Sequence, residues 1–251
     1  MSRRRIAAAA AMSMLVVGGG GCELFGPAMV QVDVYASHHG ARIDGLIPDY
    51  GPDGAPRHFV NDLGWTIDIL DAYVVVTSAA LVGCDGTTRT VDMVFGPAPE
   101  HILFTDRDVV NIGSVEVPEG DYCKLLVEYG PYRAEDAAKS ADPFPLATAV
   151  DLEGVSVLLS GVASKEMMNV NFTLTATGNR AVEVDLQLPG EGPTPFAITE
   201  DLSDARVTVA KTYDAFFRGI DFAAYDPAAA SGQLLTILAV ETTAYQGTTI
   251  Y

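Results

Sequence analysis

The 251-residue chain has few cysteines, few histidines and few basic residues. It contains three cysteines, four histidines and one tryptophan, and its 15 lysines and arginines stand against 33 aspartates and glutamates, a formal net charge of −18. Nucleic acids and anionic lipid surfaces are bound through positive charge, so this balance argues against both kinds of partner. An acidic surface can attract cations, although a solvated acidic face is the simpler interpretation.

Recognisable catalytic motifs are absent too. The sequence has no G-x-S-x-G elbow, no H-E-x-x-H, no Walker loop and no C-x-x-C. Serine, histidine and aspartate all occur, but no spacing selects a triad. We therefore expect a protein that is not an enzyme.

The N-terminus has the layout of an export signal. Three arginines, Arg3 to Arg5, precede an apolar run over 6–17 that is too short to span a bilayer comfortably, and four glycines follow. Small residues directly before Cys22 resemble the lipobox of bacterial lipoproteins, in which the cysteine receives a lipid and becomes the first residue of the mature chain. Ordinary secretion, with Cys22 unmodified, is the alternative.

This layout predicts a signal peptide over 1–21, a lipidated (palmitate-type) Cys22 with a short tether over 22–29, and one domain over 30–251. We expect a bacterial cell-envelope protein, anchored by lipid at the periplasmic face or the cell surface. The membrane is then reached through the anchor, and an envelope protein is a further candidate partner.

The remaining two cysteines are predicted to form a disulfide. If Cys22 carries lipid, Cys84 and Cys123 are left to pair in an oxidising compartment. Cys123 alternates with Leu125 and Val127, so it lies on the apolar face of a predicted strand. The alternative is two buried free thiols.

Many short strands separated by turn signals predict the fold. The longest apolar run, GWTIDILDAYVVVTSAALVGC over 64–84, indicates two consecutive strands, and alternating residues over 170–176 and 182–188 flank a turn typical of a hairpin. Helix signals are found over 134–141, in a short turn that begins at Asp214, and in the stretch after Asp226-Pro227. We expect a mainly β protein, an antiparallel two-sheet β-sandwich of immunoglobulin-like style with one or two short helices.

The histidines are the candidate metal ligands. Imidazole suits copper and zinc, and three of the four histidines lie in a glycine- and proline-rich stretch over 37–63. Neighbouring histidines can share a metal in a loop, but in a strand they face opposite sides. Exposed histidines that bind nothing are the plainer interpretation. The candidate ligands are His38, His39, His58 and His101, with Asp44, Asp49 and Asp53 as additional oxygens or as a weak calcium site.

Three segments resemble a known family. GWTIDILDAYVVVTSAAL, PEGDYCKLLVEYG and AKTYDAFFRGIDF, together about a quarter of the chain, are similar to MbnP-like bacterial lipoproteins, which are associated with copper and with methanobactin operons. The resemblance implies a β-sandwich in the periplasm or on the cell surface that binds copper through histidine. It supplies no ligand set, because the family's early cysteines are absent here.

Three functions follow as hypotheses. The first is a lipid-anchored envelope binding protein, taking a metal ion (copper or zinc), a small ligand or a protein partner. The second is a structural or adhesive surface lipoprotein with no small-molecule site. The third, a hydrolase with an unrecognised site, has the least support in the sequence.

Overall fold

The computed structural model describes residues 28–52, 54–104, 106–140, 151–202 and 204–250, and over these ranges the protein is mainly β. Cys22, the signal segment and Asp53 lie outside the described residues, as does the end of the helix predicted over 134–141. No helix within the described ranges is long and apolar enough to cross a bilayer. The strands are β1 (Met29–His39), β2 (Arg57–Val60), β3 (Thr66–Gly83), β4 (Thr88–Thr90), β5 (Asp92–Met93), β6 (Ala98–His101), β7 (Val110–Pro118), β8 (Gly120–Tyr129), β9 (Val157–Lys165), β10 (Met168–Ala176), β11 (Arg180–Leu188), β12 (Gly192–Pro193), β13 (Phe196–Ile198), β14 (Ala205–Thr212) and β15 (Thr242–Gln246); the helices are α1 (Ala134–Ala137), a 3₁₀ helix (Asp214–Phe217) and α2 (Pro227–Glu241).

All 15 described strands belong to one curled sheet. Its main path runs β10-β9-β3-β8-β11-β15-β14-β1-β7-β5, with β2, β4 and β6 paired to β3, β12 paired to β11 and β13 paired to β8. The predicted mainly β class is confirmed, but the described strands do not separate into the two antiparallel sheets that the sequence predicted. The sheet is continuous because β11 pairs with β8 through Arg180–Asp185 and then with β15 through Leu186 and Gln187. Two of the pairings, β1 with β14 and β11 with β15, are parallel.

The long apolar run over 64–84 forms one strand, where two were predicted. β3 has 18 residues, and its pairing with β9 shifts register between Ile69 and Asp71. Ile67 and Ile69 point into the core before this shift, and Ala72, Val74 and Val76 do so after it. Leu70 is the extra residue and is half exposed. The interrupted alternation therefore marks a β-bulge, which lets a single strand keep its apolar side inward.

The hairpin predicted over 170–188 is also wrong. Both segments form strands, but β10 pairs with β9, while β11 pairs with β8 and β15. β10 instead forms a hairpin with β9 through Glu166 and Met167, with Glu166 in the left-handed region (φ 54°). Alternation determines which residues form a strand, but it does not select the neighbouring strand.

Both α-helices begin where the sequence predicts. α2 begins after Asp226, whose Oδ1 accepts hydrogen bonds from the backbone N–H groups of Ala228 (2.9 Å) and Ala229 (3.4 Å), with Pro227 in the first turn. Gly232, which disfavours a helix, is exposed and is tolerated. α1 begins at Ala134 as expected but ends at Ala137.

Cys84 and Cys123 form the predicted disulfide. Their Cα atoms are 4.9 Å apart and the bond closes a sequence separation of 39 residues. Gly83 on β3 already pairs with Tyr122 on β8, so the disulfide links neighbouring strands of one sheet and does not join separate layers.

Reducing this disulfide should destabilise the protein without changing its topology. For a loop of this length the chain-entropy model gives about 4 kcal/mol. Urea unfolding of the oxidised protein and of a Cys84→Ser/Cys123→Ser variant measures the difference. A loss below about 1 kcal/mol would contradict the prediction and indicate a denatured state that is already compact.

Candidate functional site

A histidine continues the inward face of β1. Val30, Val32, Val34 and Ala36 alternate toward the core, and His38 follows at the next inward position with 2% of its surface exposed. β1 runs parallel to β14, and His38 lies opposite Lys211, which is 1% exposed. Two basic residues on neighbouring strands are therefore buried together.

Glu100 is the acid that contacts both basic side chains, His38 and Lys211. It belongs to β6, pairs with Val74 of β3 and is buried. Its Oε1 lies 3.0 Å from His38 Nδ1, and its Oε2 forms an ion pair with Lys211 Nζ. β6 reaches the core from the β3 side of the sheet, whereas β1 and β14 approach from the other arm. The carboxylate thus connects the two arms of the curl.

Asp106 extends this buried cluster. Its Oδ2 accepts a 2.8 Å hydrogen bond from the Tyr213 hydroxyl, and its Oδ1 lies 3.5 Å from Arg57 Nε and 3.8 Å from His38 Nε2. Arg57 is fully buried and donates to the carbonyl oxygen of Ile102 (3.1 Å). We call His38, Arg57, Glu100, Asp106, Lys211 and Tyr213 the buried charge cluster.

Both nitrogens of the His38 ring have a hydrogen-bond partner. Nδ1 faces the Glu100 carboxylate, and Nε2 lies 3.1 Å from the carbonyl oxygen of Phe104. Both ring nitrogens are therefore in contact with protein oxygen atoms, and neither is directed at a site for a metal ion.

The pKa values of the two buried carboxyl groups shift in opposite directions, because their charged and hydrogen-bonded partners differ. Burial by itself raises the pKa of Glu100, but the Lys211 charge and the His38 hydrogen bond outweigh it, and the pKa is lowered overall. Burial raises the pKa of Asp106, and the Tyr213 hydrogen bond with the His38 and Arg57 charges offsets only part of that rise. The Tyr213 pKa is raised by burial and by Asp106, which keeps the phenol protonated. The arrangement is closed to solvent and suits a structural role.

The other three histidines lie at separate places. His39 faces the opposite side of β1 from His38, and its Nδ1 donates to the Gly40 carbonyl oxygen at 2.8 Å. His58 is exposed beside Asp68 (2.6 Å). His101 contacts Asp71 at 3.1 Å and stacks on Tyr73 with ring centroids 4.5 Å apart.

The histidines predicted as metal ligands are therefore not brought together. Over the described ranges, no group of three or more histidine, cysteine, aspartate or glutamate side chains is placed to hold a metal ion. His38 and His39 lie in a strand, the case in which adjacent histidines cannot share an ion. Asp49 caps its own turn by accepting a hydrogen bond from Gly51 N (3.1 Å), and Asp44 sits in a left-handed turn (φ 52°).

A groove runs along α2 on the outside of the sheet. Its larger lobe, about 420 Å³, lies between the helix and the segment 216–226, with walls formed by Phe216, Ile220, Tyr225, Ala230 and Ile237. A second lobe of about 300 Å³ continues past Arg218 toward Val240. Pockets of this size with mainly apolar walls are typical of small-molecule sites.

The helix beside the groove lacks charge. Between Pro227 and Val240 it carries no charged residue, although Ala229, Gln233 and Thr236 are exposed and Val240 is 75% exposed. A surface helix usually presents charged residues on its solvent side. The absence of charge over 227–240 is visible in the sequence, and it indicates this surface, which the positions of the histidines do not.

Known proteins offer little guidance. No protein-family model matches the chain. A search of curated proteins found no match in sequence. The solved structure of MbnP from Methylosinus trichosporium is similar, with a TM-score of 0.40 and 12% identity over 80% of each chain. That likeness is distant, and so weak a superposition carries no inference about ligand or function.

Removing one member of the buried ion pair should be costly. Lys211→Met leaves Glu100 buried without its cation, and we expect a loss of about 3–5 kcal/mol in the free energy of unfolding. Adding Glu100→Gln to that variant should restore part of the loss. Urea unfolding measures both.

The matched control is the exposed ion pair of Lys124 and Glu183, whose charged atoms are 2.6 Å apart. Lys124→Met should change the free energy of unfolding by less than about 1 kcal/mol. Equal losses at Lys211 and Lys124 would contradict the assignment of the buried cluster.

His39 should make the protein less stable in mild acid. Burial lowers its pKa from the ordinary 6.5, so below pH 6.5 the unfolded state binds the proton more tightly than the folded state. Stability is then lost as pH falls from 6.5 toward the lowered pKa, by at most about 1.4 kcal/mol per pH unit.

His39→Leu should flatten this slope, measured by urea unfolding at several pH values. His58→Gln, which removes an exposed histidine, is the control. An unchanged slope in His39→Leu would show that other groups cause the pH dependence.

Proposed function

We propose that the protein is an exported, lipid-anchored binding protein of the bacterial cell envelope, and that it takes an apolar ligand into the groove along α2. The observation that carries the binding part is the groove itself, about 420 Å³ with mainly apolar walls, beside a helix whose exposed stripe is uncharged. Exposing such a surface is unfavourable unless it is covered during function.

The disulfide supports the compartment. Cys84 and Cys123 are bonded, as expected of a protein that folds in an oxidising compartment. The odd third cysteine, Cys22, follows a signal-like segment, which is the position required for lipid attachment. The anchor and the signal peptide remain predictions from sequence.

Binding is favoured over catalysis by where the reactive groups lie. Within the described part of the chain, the acids and bases of the buried charge cluster are shielded from solvent: His38 is 2% exposed and Lys211 1% exposed. A substrate cannot reach these groups while the core is packed. The apolar groove, in contrast, is open to solvent.

Copper or zinc binding through histidine has weaker support. His38 is occupied on both ring nitrogens, while His58 and His101 each contact an aspartate on different parts of β3. We therefore assign the binding role to the groove, and metal binding stays a hypothesis from sequence.

Filling the groove should abolish binding of a neutral apolar probe. Ala229 lines the larger lobe and is exposed, so Ala229→Phe should occupy the lobe without disturbing the core. We expect affinity for N-phenyl-1-naphthylamine, followed by fluorescence, to fall about tenfold or more, because the probe can no longer bury its apolar surface in the lobe.

Ala228→Phe is the matched control, because Ala228 is the adjacent exposed helix residue and does not line the groove. It should bind the probe as the unchanged protein does. Equal affinity in both variants, or no binding to the unchanged protein, would contradict the proposal.

A further inference from the structure

We propose that the ligand of the α2 groove is an organic cation with an apolar body, such as an alkylammonium compound. This inference rests on the proposed binding function and specifies the chemical class of the ligand. It follows from the charges around the groove, the way those charges are held, and the aromatic ring between them.

Acidic side chains dominate the charges that line the groove. The two lobes contain four carboxylates and a single guanidinium, so the lining is negative overall: Asp62, Asp221, Asp226 and Glu241 against Arg218. α2 contributes no lysine or arginine. The chain as a whole is also acidic, with a net charge of −18, which favours the approach of cations over anions.

Each of these carboxylates is oriented by a hydrogen bond or an ion pair. Asp221 Oδ1 accepts from the Trp65 indole N–H at 3.0 Å, and Asp226 Oδ1 accepts from the first N–H groups of α2. Asp62 Oδ1 accepts from Gly219 N at 2.7 Å. Side chains fixed in this way attract a ligand charge without the entropy loss of ordering a mobile side chain.

The single guanidinium is already paired. Arg218 Nη1 lies 3.2 Å from Glu241 Oε1, at the junction between the two lobes. Within the described residues, Asp221 and Asp226 of the larger lobe accept hydrogen bonds from N–H groups but form no ion pair with a lysine or arginine. An anionic ligand would have to approach both of them.

Tyr225 adds an aromatic ring to the same lobe. It is half-buried and packs against Phe222, with ring centroids 5.0 Å apart. Alkylammonium groups bind to aromatic faces through the ring quadrupole, while their chains gain from apolar walls. Carboxylates, an aromatic ring and the apolar surfaces of Ile220 and Ile237 therefore match one ligand class.

The test is isothermal titration of the disulfide-bonded protein with three probes that share a hexyl chain. Hexyltrimethylammonium is the cation, hexyl glucoside the neutral compound and hexanesulfonate the anion. We expect the cation to bind about tenfold more tightly than the neutral probe, and the anion to bind most weakly. The preference should shrink as salt is raised.

Asp226→Asn separates charge from structure. Asparagine caps a helix as well as aspartate does, so the variant should fold normally but lose about threefold or more in affinity for the cation alone. Tyr225→Leu should also lower the affinity for the cation more than the affinity for the neutral probe. Glu116→Gln, which removes one exposed acid on β7, is the control and should leave the affinity for all three probes unchanged.

The outcomes separate this inference from the function on which it rests. Equal binding of the cationic and neutral probes would overturn the cation class while the apolar groove stands as a binding site. Tighter binding of the anion would overturn it in favour of Arg218. Failure of all three probes to bind would overturn the groove as a site altogether.

Discussion

The contacts of the buried Glu100 carboxylate with His38 and Lys211 are the interactions on which the rest of the structure depends. The carboxylate lies between His38 and Lys211, and so joins β6, on the β3 side of the curled sheet, to β1 and β14 on the other arm. Burying a carboxylate is costly unless partners of opposite charge compensate for it. The two arms of the curled sheet are therefore held in the one arrangement that brings these three side chains into contact.

The groove is connected to this cluster through the chain itself. β14 carries Lys211 and leads directly to Tyr213, whose hydroxyl bonds Asp106, and then to the 3₁₀ helix containing Phe216. Phe216 and Arg218 form part of the groove wall. A core that fixes Tyr213 thus also positions one side of the proposed binding site, while α2 supplies the other.

Local elements could be predicted from the sequence because they depend on local chemistry. Alternation identified the strand segments over 170–176 and 182–188, and Asp226-Pro227 identified the start of α2. The disulfide followed from cysteine number and compartment. The bulge at Leu70 was misread as a break between strands, since an interrupted period looks the same in either case.

Pairing and the charge cluster could not be predicted, because they depend on contacts distant in sequence. His38 and Glu100 are separated by 62 residues, and nothing near either residue indicates the other. One clue was present: His38 extends the inward series that ends at Ala36, and Lys211 extends the one formed by Val207 and Val209. A charged residue at an inward position implies a buried partner.

Hydrogen exchange followed by mass spectrometry, comparing the unchanged protein with Glu100→Gln, tests most directly whether this carboxylate holds the two arms together. Amide protection should fall together in β1, β6, β14 and the 3₁₀ helix, while β9 and β10 keep theirs. Loss of protection confined to β6 would contradict the account, because Glu100 would then stabilise only its own strand.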